Sequence, residues 1–489
     1  MLQFQDKLGR LRLATDLLAE KQEDEMGKDY RPSNQKKQEE IMKHHGKNFI
    51  PFLVIILLLG VWACEKVTED DHEPFEKFSQ ELLADLNRSA LQLTGSDPTL
   101  PDDELAPLAD LGQALVVGLG EATHGTHEFF AMKHRLFRYL VERFDFRALA
   151  FECDYDQSIY FDRWLNGGAG GVAHDLMRIG TWRPVEVTAL LEWMRQVNLT
   201  RPEAERLHFV GVDCQFATYQ PDLLREYLQH VSPQHLAEIE ALLVREEAFR
   251  DADFKNLTTE QYQSLWRELE SEYQAWASLK KDFVALSSTR EFEVARQLLR
   301  SLIQVNQVSF ESSTSTNYRD FHMAENTLWA QKQFCGGRGI ALWAHNLHVA
   351  NDFAGIWPVS TGYHLRQALG KRYVIVGFSF CQGSFTAVGY DPVNKVYTGL
   401  QTHSIDEAPL PYSVNDLFFA AEKKMFFLRL DRLVKGDPLQ VWFNQGRKML
   451  NITVSYNGNP AKYYWIPFFI PPCYDVLIHF DRTTFAAQL

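Results

Sequence analysis

Two rhythms of apolar residues alternate along the chain. Short, nearly unbroken apolar runs recur at Ala114–Gly120 (ALVVGLG), Ala148–Phe151, Leu207–Val212 (LHFVGV), Gly339–Trp343 (GIALW) and Tyr373–Phe380 (YVIVGFSF). Between them, apolar residues return every three or four positions. Glu76–Leu93 does so through Phe78, Leu82, Leu83 and Leu86, and Phe129–Phe144 through Phe130, Leu136, Phe137 and Leu140. Val185–Val197 and Tyr318–Gln333 follow the same rule, the latter closed by Gly336 and Gly337. The first rhythm predicts strands buried on both faces, and the second predicts amphipathic helices. Thr126 is placed to cap the helix that follows it, with Glu128 as a favourable acid in the first turn.

From Pro221 to about Gln307 the pattern is helical and charge-rich, without a convincing strand. Ser312–Asn317 reads as a polar loop, and Tyr463–Ile470 and Asp475–Phe480 are strand-like, around Pro471 and Pro472. Strands alternating with helices predict the α/β class: a mostly parallel sheet flanked by helices, with an inserted helical region at about 221–307. In such sheets a site is expected at the carboxyl ends of the strands. The sequence contains no internal repeat or low-complexity tract.

The amino terminus follows a different pattern. Phe49–Ala63 is an apolar run ending at Cys64, preceded by the short basic stretch Met42-Lys43-His44-His45-Gly46-Lys47. The run is shorter than the roughly 20 residues a spanning helix needs. A basic region, a short apolar region and small residues before a cut point predict a secretory signal. Gly60-Val61-Trp62-Ala63-Cys64 resembles a bacterial lipobox, with Cys64 as the lipidated residue. The expected organisation is a leader over 1–41, outside the natural start at Met42, then a lipoprotein signal peptide over 42–63. An acidic tether over 64–75 and a single catalytic domain over 76–489 follow. That address places the protein at the bacterial cell envelope, on the periplasmic or outer-membrane face, held to the membrane through Cys64.

Composition narrows the partners. A formal net charge of −14 argues against a nucleic-acid partner, whose phosphates need basic stripes. Cys64, Cys153, Cys214, Cys335, Cys381 and Cys473 include no CxxC pair and are too sparse for a disulfide framework in a chain this long. Cys153 and Cys214 read as buried, inert thiols, and Trp182, Trp193 and Trp343 as core or pocket wall.

The candidate chemistry collects at strand ends. The first strand delivers Glu121 and His124, the second Glu152, the third Asp213, and the fourth His345, Asn346 and His348. Histidines beside carboxylates suit two chemistries. One is metal-free hydrolysis, in which a histidine takes a proton from water and a carboxylate orients its ring. The other is a metal hydrolase with the same side chains as ligands. The stretch His124-Gly125-Thr126-His127 is not the HExxH motif, and His127 and Glu128 read as helix-start residues. GxSxG, GxGxxG and P-loop motifs are absent, so a serine nucleophile and a nucleotide cofactor are not indicated.

The segments GLGEATHGTHEFF (118–130), AFE (150–152), TWRPVEVTALLEWMRQVN (181–198), GVDCQ (211–215), RDFHMAEN (319–326) and WAHNLHVA (343–350) together resemble the erythromycin esterase family, which includes macrolide-lactone esterases and homologues labelled as succinoglycan-biosynthesis proteins. The resemblance implies a metal-independent hydrolase with an α/β core and added helices. It implies His124 as general base, Glu121 and Glu152 as its orienting acids, and His345 and His348 as groups that position water or stabilise an oxyanion. By spacing, Lys133 stands where the macrolide esterases carry an arginine, with Arg135 close by. Lysine keeps the charge without the planar fork, a departure that bears on the substrate more than on the hydrolysis. Lys133, Arg135 and Asp213 are the expected substrate-binding residues.

The reading is therefore a lipid-anchored hydrolase of a small-molecule or glycan ester or lactone, without a cofactor. Its rivals are a divalent-metal hydrolase using the same residues, an enzyme acting on surface-polysaccharide esters, and a non-catalytic surface lipoprotein that binds carbohydrate.

Overall fold

The computed structural model describes residues 77–168, 180–251, 257–310, 318–351, 359–459 and 464–488. The leader, signal peptide, Cys64, acidic tether and polar loop at 312–317 lie outside the described residues, as does Tyr463. Among the described residues, no helix is long and apolar enough to cross a membrane.

The strands are β1 (Leu91–Gln92), β2 (Val116–Leu119), β3 (Ala148–Asp154), β4 (His208–Asp213), β5 (Ile340–Trp343), β6 (Tyr373–Asp391), β7 (Val396–Ile405), β8 (Met425–Arg429), β9 (Arg447–Leu450), β10 (Ser455–Tyr456), β11 (Trp465–Phe468) and β12 (Val476–Thr483). Six of them run parallel in the order β12-β6-β2-β5-β3-β4. β8 and then β1 extend the β12 edge antiparallel, and β7 folds back antiparallel on the second half of β6. β9 and β11 form a separate two-stranded sheet.

Ten helices matter here. They are α1 (Gln80–Ser89), α2 (His127–Phe144), α3 (Tyr155–Leu165), α4 (Val185–Thr200), α5 (Gln220–Val231), α6 (Pro233–Asp251), α7 (Thr259–Leu286), α8 (Thr289–Phe310), α9 (Tyr318–Phe334) and the single turn α10 (Asn346–Val349). Between β4 and β5 the described residues form the helices α5 to α9 and no strand.

The central strands are buried on both faces because helices cover both. Val116, Ala150, Val210 and Leu342 point to one side, where they meet Leu224, Trp276 and Leu298 of α5, α7 and α8. Val117, Leu149, Phe151 and Trp343 point to the other, against α2 and α4. This explains why the strands read as continuous apolar runs rather than alternating ones.

Topology places the site. The chain goes from β2 outward to β3 and β4, then returns to lay β5 between β2 and β3, and finally sets β6 on the far side of β2. The strand order reverses there, and a parallel sheet opens a crevice at such a point, at its carboxyl edge. Register levels the ends: Leu119 pairs with Trp343, and Trp343 with Phe151. The residues that follow these three emerge at one height.

Four expectations need correction. β3 continues to Asp154, with a register shift after Phe151, so Glu152 lies in the irregular end of a strand rather than past it. A bulge of this kind re-aims side chains at a sheet rim. β6 runs well beyond Phe380, because Gln382-Gly383-Ser384 interrupts its apolar run but not its pairing. The strand expected at Tyr463–Ile470 shortens to β11 and stays out of the large sheet. Thr126 occupies the N-cap of α2 without a capping bond; its hydroxyl instead meets that of Thr123.

The β3 bulge depends on its neighbour. A Cβ at Gly211 of β4 would collide with the carbonyl oxygen of Asp154, and would sit 2.7 Å from that of Cys153. Neither backbone group can yield without undoing the bulge. Gly211→Ala is therefore expected to lower the unfolding free energy by about 2–4 kcal/mol, read as a lower urea midpoint at unchanged slope.

Candidate active site

The loop between β2 and α2 carries Glu121 and His124, and main-chain bonds hold it on several sides. The Glu121 carbonyl accepts from Asn346 N–H at 2.8 Å, and that of Ala122 from Ile452 N–H at 2.7 Å. The Gly125 carbonyl accepts from Thr386 N–H at 2.8 Å and Ala486 N–H at 2.9 Å. A Cβ at Gly125 would strike the main chain of Thr386, so only glycine allows this approach. Glu128 carries no chemistry here: its carboxylate accepts from the N–H and hydroxyl of Thr484, both at 2.8 Å, and pins the C-terminal segment beside the loop.

Within the loop, His124 Nδ1 and Glu121 Oε1 are 2.7 Å apart. Glu121 is fully buried, and its other oxygen accepts from Lys133 Nζ at 2.5 Å. With the Nδ1 proton given to Glu121, the Nε2 lone pair of His124 is open. The ring is held edge-on by Trp182, with centroids 5.0 Å apart, and lies 4.9 Å from the His345 ring.

A second cluster surrounds Arg319, in the first turn of α9. Its guanidinium grips Asp213 through Nε and one terminal nitrogen, both at 2.8 Å. The same terminal nitrogen reaches Glu152 Oε1 at 3.0 Å. The other lies 3.2 Å from His348 Nε2. His348 Nδ1 donates to Asp320 Oδ1 at 2.7 Å, and Glu152 Oε1 lies 3.3 Å from its Nε2. The second Glu152 oxygen accepts the main-chain N–H of His345 at 2.8 Å.

Burial opposes charge here, and the partners outweigh it for Glu152 and Asp320. Burial pushes the Glu152 carboxyl up, but the charges of His348, His124 and Arg319 and the His345 N–H bring it down from an ordinary 4.5 to about 2. Asp320 is held still lower against burial, chiefly by His348 and Arg319. His348 is raised: burial disfavours its charge, but Asp320 and Glu152 more than compensate. Lys133 falls from 10.5 to about 8 because burial outweighs its pairing with Glu121, so it is still mostly protonated at neutral pH.

His345 has a different fate. Its Nε2 donates to the Ile452 carbonyl at 3.2 Å, and its Nδ1 accepts from Leu347 N–H at 3.2 Å as the N-cap of α10. Burial, then the neighbouring His124, pushes its pKa well below the usual value. It is a neutral ring with both nitrogens committed. It sits in the cluster as a wall, without a free nitrogen for water or an oxyanion.

The structure thus gathers Glu121, His124, Glu152, Asp213, His345 and His348 at one sheet edge. It does not bring Arg135 to them. Arg135 is buried on another side of α2, donating to Glu104 at 2.5 Å, to the Gly95 carbonyl at 2.9 Å, and to the Pro101 carbonyl. Residues two apart on a helix point to nearly opposite sides, so Lys133 and Arg135 cannot share the site. Lys133 is present but fully buried, 4.2 Å from the Trp343 ring centre, and serves Glu121 rather than a substrate. His127 pairs with Glu186 at 2.6 Å, outside the cluster. Cys153 and Cys214 are buried free thiols whose pKa values burial raises.

Sequence reasoning missed Arg319 and Asp320, whose roles depend on a fold in which α9 crosses the ends of β3 and β4. The available signal was charge: Glu152 and Asp213 needed a cation, and Arg319-Asp320 opens a predicted helix. Asp154 was missed as well. It is buried beside Asp213 and holds the turn after β4 by accepting from the N–H groups of Gln215 at 2.7 Å and Phe216 at 2.9 Å.

Comparison with known proteins gives the family and the fold. A family described as "Erythromycin esterase" matches residues 141–483, a stretch that begins inside α2 and leaves Glu121, His124 and Lys133 outside it. The chain is similar to the erythromycin esterase type II of Escherichia coli, 23% identical over 330 residues that cover 60% of this chain and 76% of that protein. Its fold is similar to that of a Bacillus cereus protein, with a TM-score of 0.72 and 23% identity over 85% of this chain and 100% of the other. It is also similar to a solved succinoglycan biosynthesis protein, with a TM-score of 0.69 and 22% identity over 83% and 97% of the two chains.

A depressed carboxyl stabilises the fold where it is ionised. The Glu152 contribution is present in full above about pH 4.5 and is lost as pH falls toward about 2, on the order of 3 kcal/mol in all. Urea unfolding between pH 3 and pH 6 should show stability falling with acidification. Glu152→Gln should flatten that slope by up to one proton, besides lowering stability at pH 6.

Proposed function

Because the chain belongs to the erythromycin esterase family, we propose that it is a hydrolase that opens an ester or lactone by water attack, with His124 as the general base. The observation that carries this reading is the buried Lys133–Glu121–His124 relay, which leaves Nε2 as the reactive nitrogen.

In this reading His124 Nε2 takes a proton from water as its oxygen bonds to the acyl carbon. Glu121, 2.7 Å from Nδ1, fixes the ring tautomer and stabilises the imidazolium that forms. Negative charge moves onto the former carbonyl oxygen. Arg319 and His348, partly exposed beside buried carboxylates, are the cations available to it. When the intermediate collapses, the C–O bond breaks and the departing alkoxide takes the proton back from His124. Glu152 and Asp213 hold Arg319 in place, and Asp320 holds His348.

The metal-free form of the chemistry is favoured by how the acids are paired. Glu121 is bound to Lys133 and His124, Asp213 to Arg319, and Glu152 to Arg319 and the His345 N–H. Each of these acids thus has a partner already, and both nitrogens of His345 are engaged. The substrate class stays at ester or lactone. A glycan ester suits an envelope address, and Lys133 is no guide to a macrolide because it faces Glu121. We further propose that Cys64 carries a lipid and anchors the enzyme at the cell envelope.

Two experiments test this. With a panel of aryl esters, macrolide lactones and acetylated sugars, His124→Ala should lower kcat/KM on any turned-over substrate by roughly 10²–10⁴-fold with the fold intact. Wild-type rates should survive excess chelator. No turnover on the whole panel, or equal turnover by His124→Ala, would reject the assignment. In a bacterial host, wild-type protein should sediment with membranes and Cys64→Ser should move to the soluble fraction; an unchanged membrane share would remove the anchor.

A further inference from the structure

A second cluster of ligand-type side chains lies on a different strand pair. β6 and β12 are parallel neighbours, with Ser379 opposite His479 and Phe380 opposite Phe480. The same register sets Cys381 beside Asp481. Side chains alternate along a strand, so Ser379 and Cys381 of β6 share one sheet face with His479 and Asp481 of β12. On the other face Phe380 and Phe480 pack against Phe129.

Cys381 and His479 are buried, and one ligand atom from each of Cys381, His479 and Asp481 lies within 4.8 Å of the others. The Cys381 Sγ and His479 Nε2 atoms are 3.8 Å apart. Tetrahedral zinc, with bonds of about 2.3 Å to sulfur and about 2.0 Å to nitrogen, sets such a pair roughly 3.6 Å apart. The far nitrogen of His479 meets the Ser379 hydroxyl at 3.0 Å. If Nδ1–H donates there, the Nε2 lone pair faces the cluster, as a support for a metal-bound histidine does.

Within the cluster the Cys381 thiol is the side-chain partner of Asp481 and also lies 3.0 Å from the Asn415 carbonyl, while Asp481 Oδ1 is buried. The closest cation to it is Lys424 Nζ at 3.8 Å, on a half-exposed side chain. A thiolate and a carboxylate together match the charge of a divalent cation. A cavity of about 450 Å³, walled by Ile405, Pro409 and Trp465, reaches Cys381.

We infer that Cys381, His479 and Asp481 form a binding site for a zinc-like divalent transition metal, tying β12 to β6. Sulfur, imidazole and carboxylate donors suit zinc over magnesium or calcium. Binding releases the Cys381 proton to solvent and keeps water as the fourth ligand. The site is separate from the esterase reading, and its readout does not use turnover.

Cobalt is the probe. Protein freed of metal by chelator and titrated with Co²⁺ should gain visible d–d bands and a near-ultraviolet thiolate-to-cobalt band, saturating at one ion per chain and bleached by Zn²⁺. Cys381→Ser should lose the ultraviolet band, and Asp481→Asn, at a partly exposed position, should weaken binding at least roughly tenfold. Circular dichroism checks the fold of each variant. If Cys381→Ser does not fold, the Asp481→Asn titration decides alone. Folded wild type without the band, a band that persists in Cys381→Ser, or unchanged affinity in Asp481→Asn would overturn the site.

Discussion

The candidate active site depends on matching buried carboxylates with buried cations. Glu121, Glu152, Asp213 and Asp320 are all nearly inaccessible to water. An unpaired buried carboxylate costs several kcal/mol, so the fold must deliver cations to the same edge. Lys133 comes from α2, Arg319 from α9 and His348 from α10. Arg319 is the keystone, since its planar fork spans Asp213 and still reaches Glu152, which a lysine could not do. Removing it would leave Asp213 without its cation, leave Glu152 to His348 and the His345 N–H alone, and free the start of α9 from β3 and β4.

That requirement ties chemistry to topology. The acids arrive on strand ends, and the cations arrive on helices that cross those ends. Level register among β2, β5 and β3 sets the heights, and the β3 bulge turns Glu152 toward Arg319. The helices between β4 and β5 have a structural part to play as well. Asn326 of α9 donates to the Val212 carbonyl at 2.9 Å, which fixes the helix on β4 about two turns beyond the Arg319 grip.

The parallel core was legible in the sequence because strands buried on both faces must be apolar throughout, and helices must show their period. The acids were legible because a polar residue after such a run is conspicuous. The antiparallel additions were not. β7 is largely exposed, so it does not stand out as an apolar run; β8 is apolar, but a run as brief as MFFL fits a buried helix turn as well as a strand. The cations were harder still. A helix start looks the same whether its arginine faces solvent or a buried acid, and only the crossing of α9 over β3 and β4 distinguishes the two for Arg319. Arg135 fails for the complementary reason: nearness in sequence on a helix is not nearness in space.

His345 and His348 show how far surroundings decide a residue's role. They stand three apart in one motif, yet one ring has both nitrogens bound to main chain and the other lies among Asp320, Glu152 and Arg319. The first is held neutral by burial and the second is biased toward its charged form by acids. His124 has a third arrangement, with a carboxylate on one nitrogen and the other open. Lys133 gives the buried Glu121 a cation on its other oxygen, so the fold holds that carboxylate between the lysine and the ring it orients.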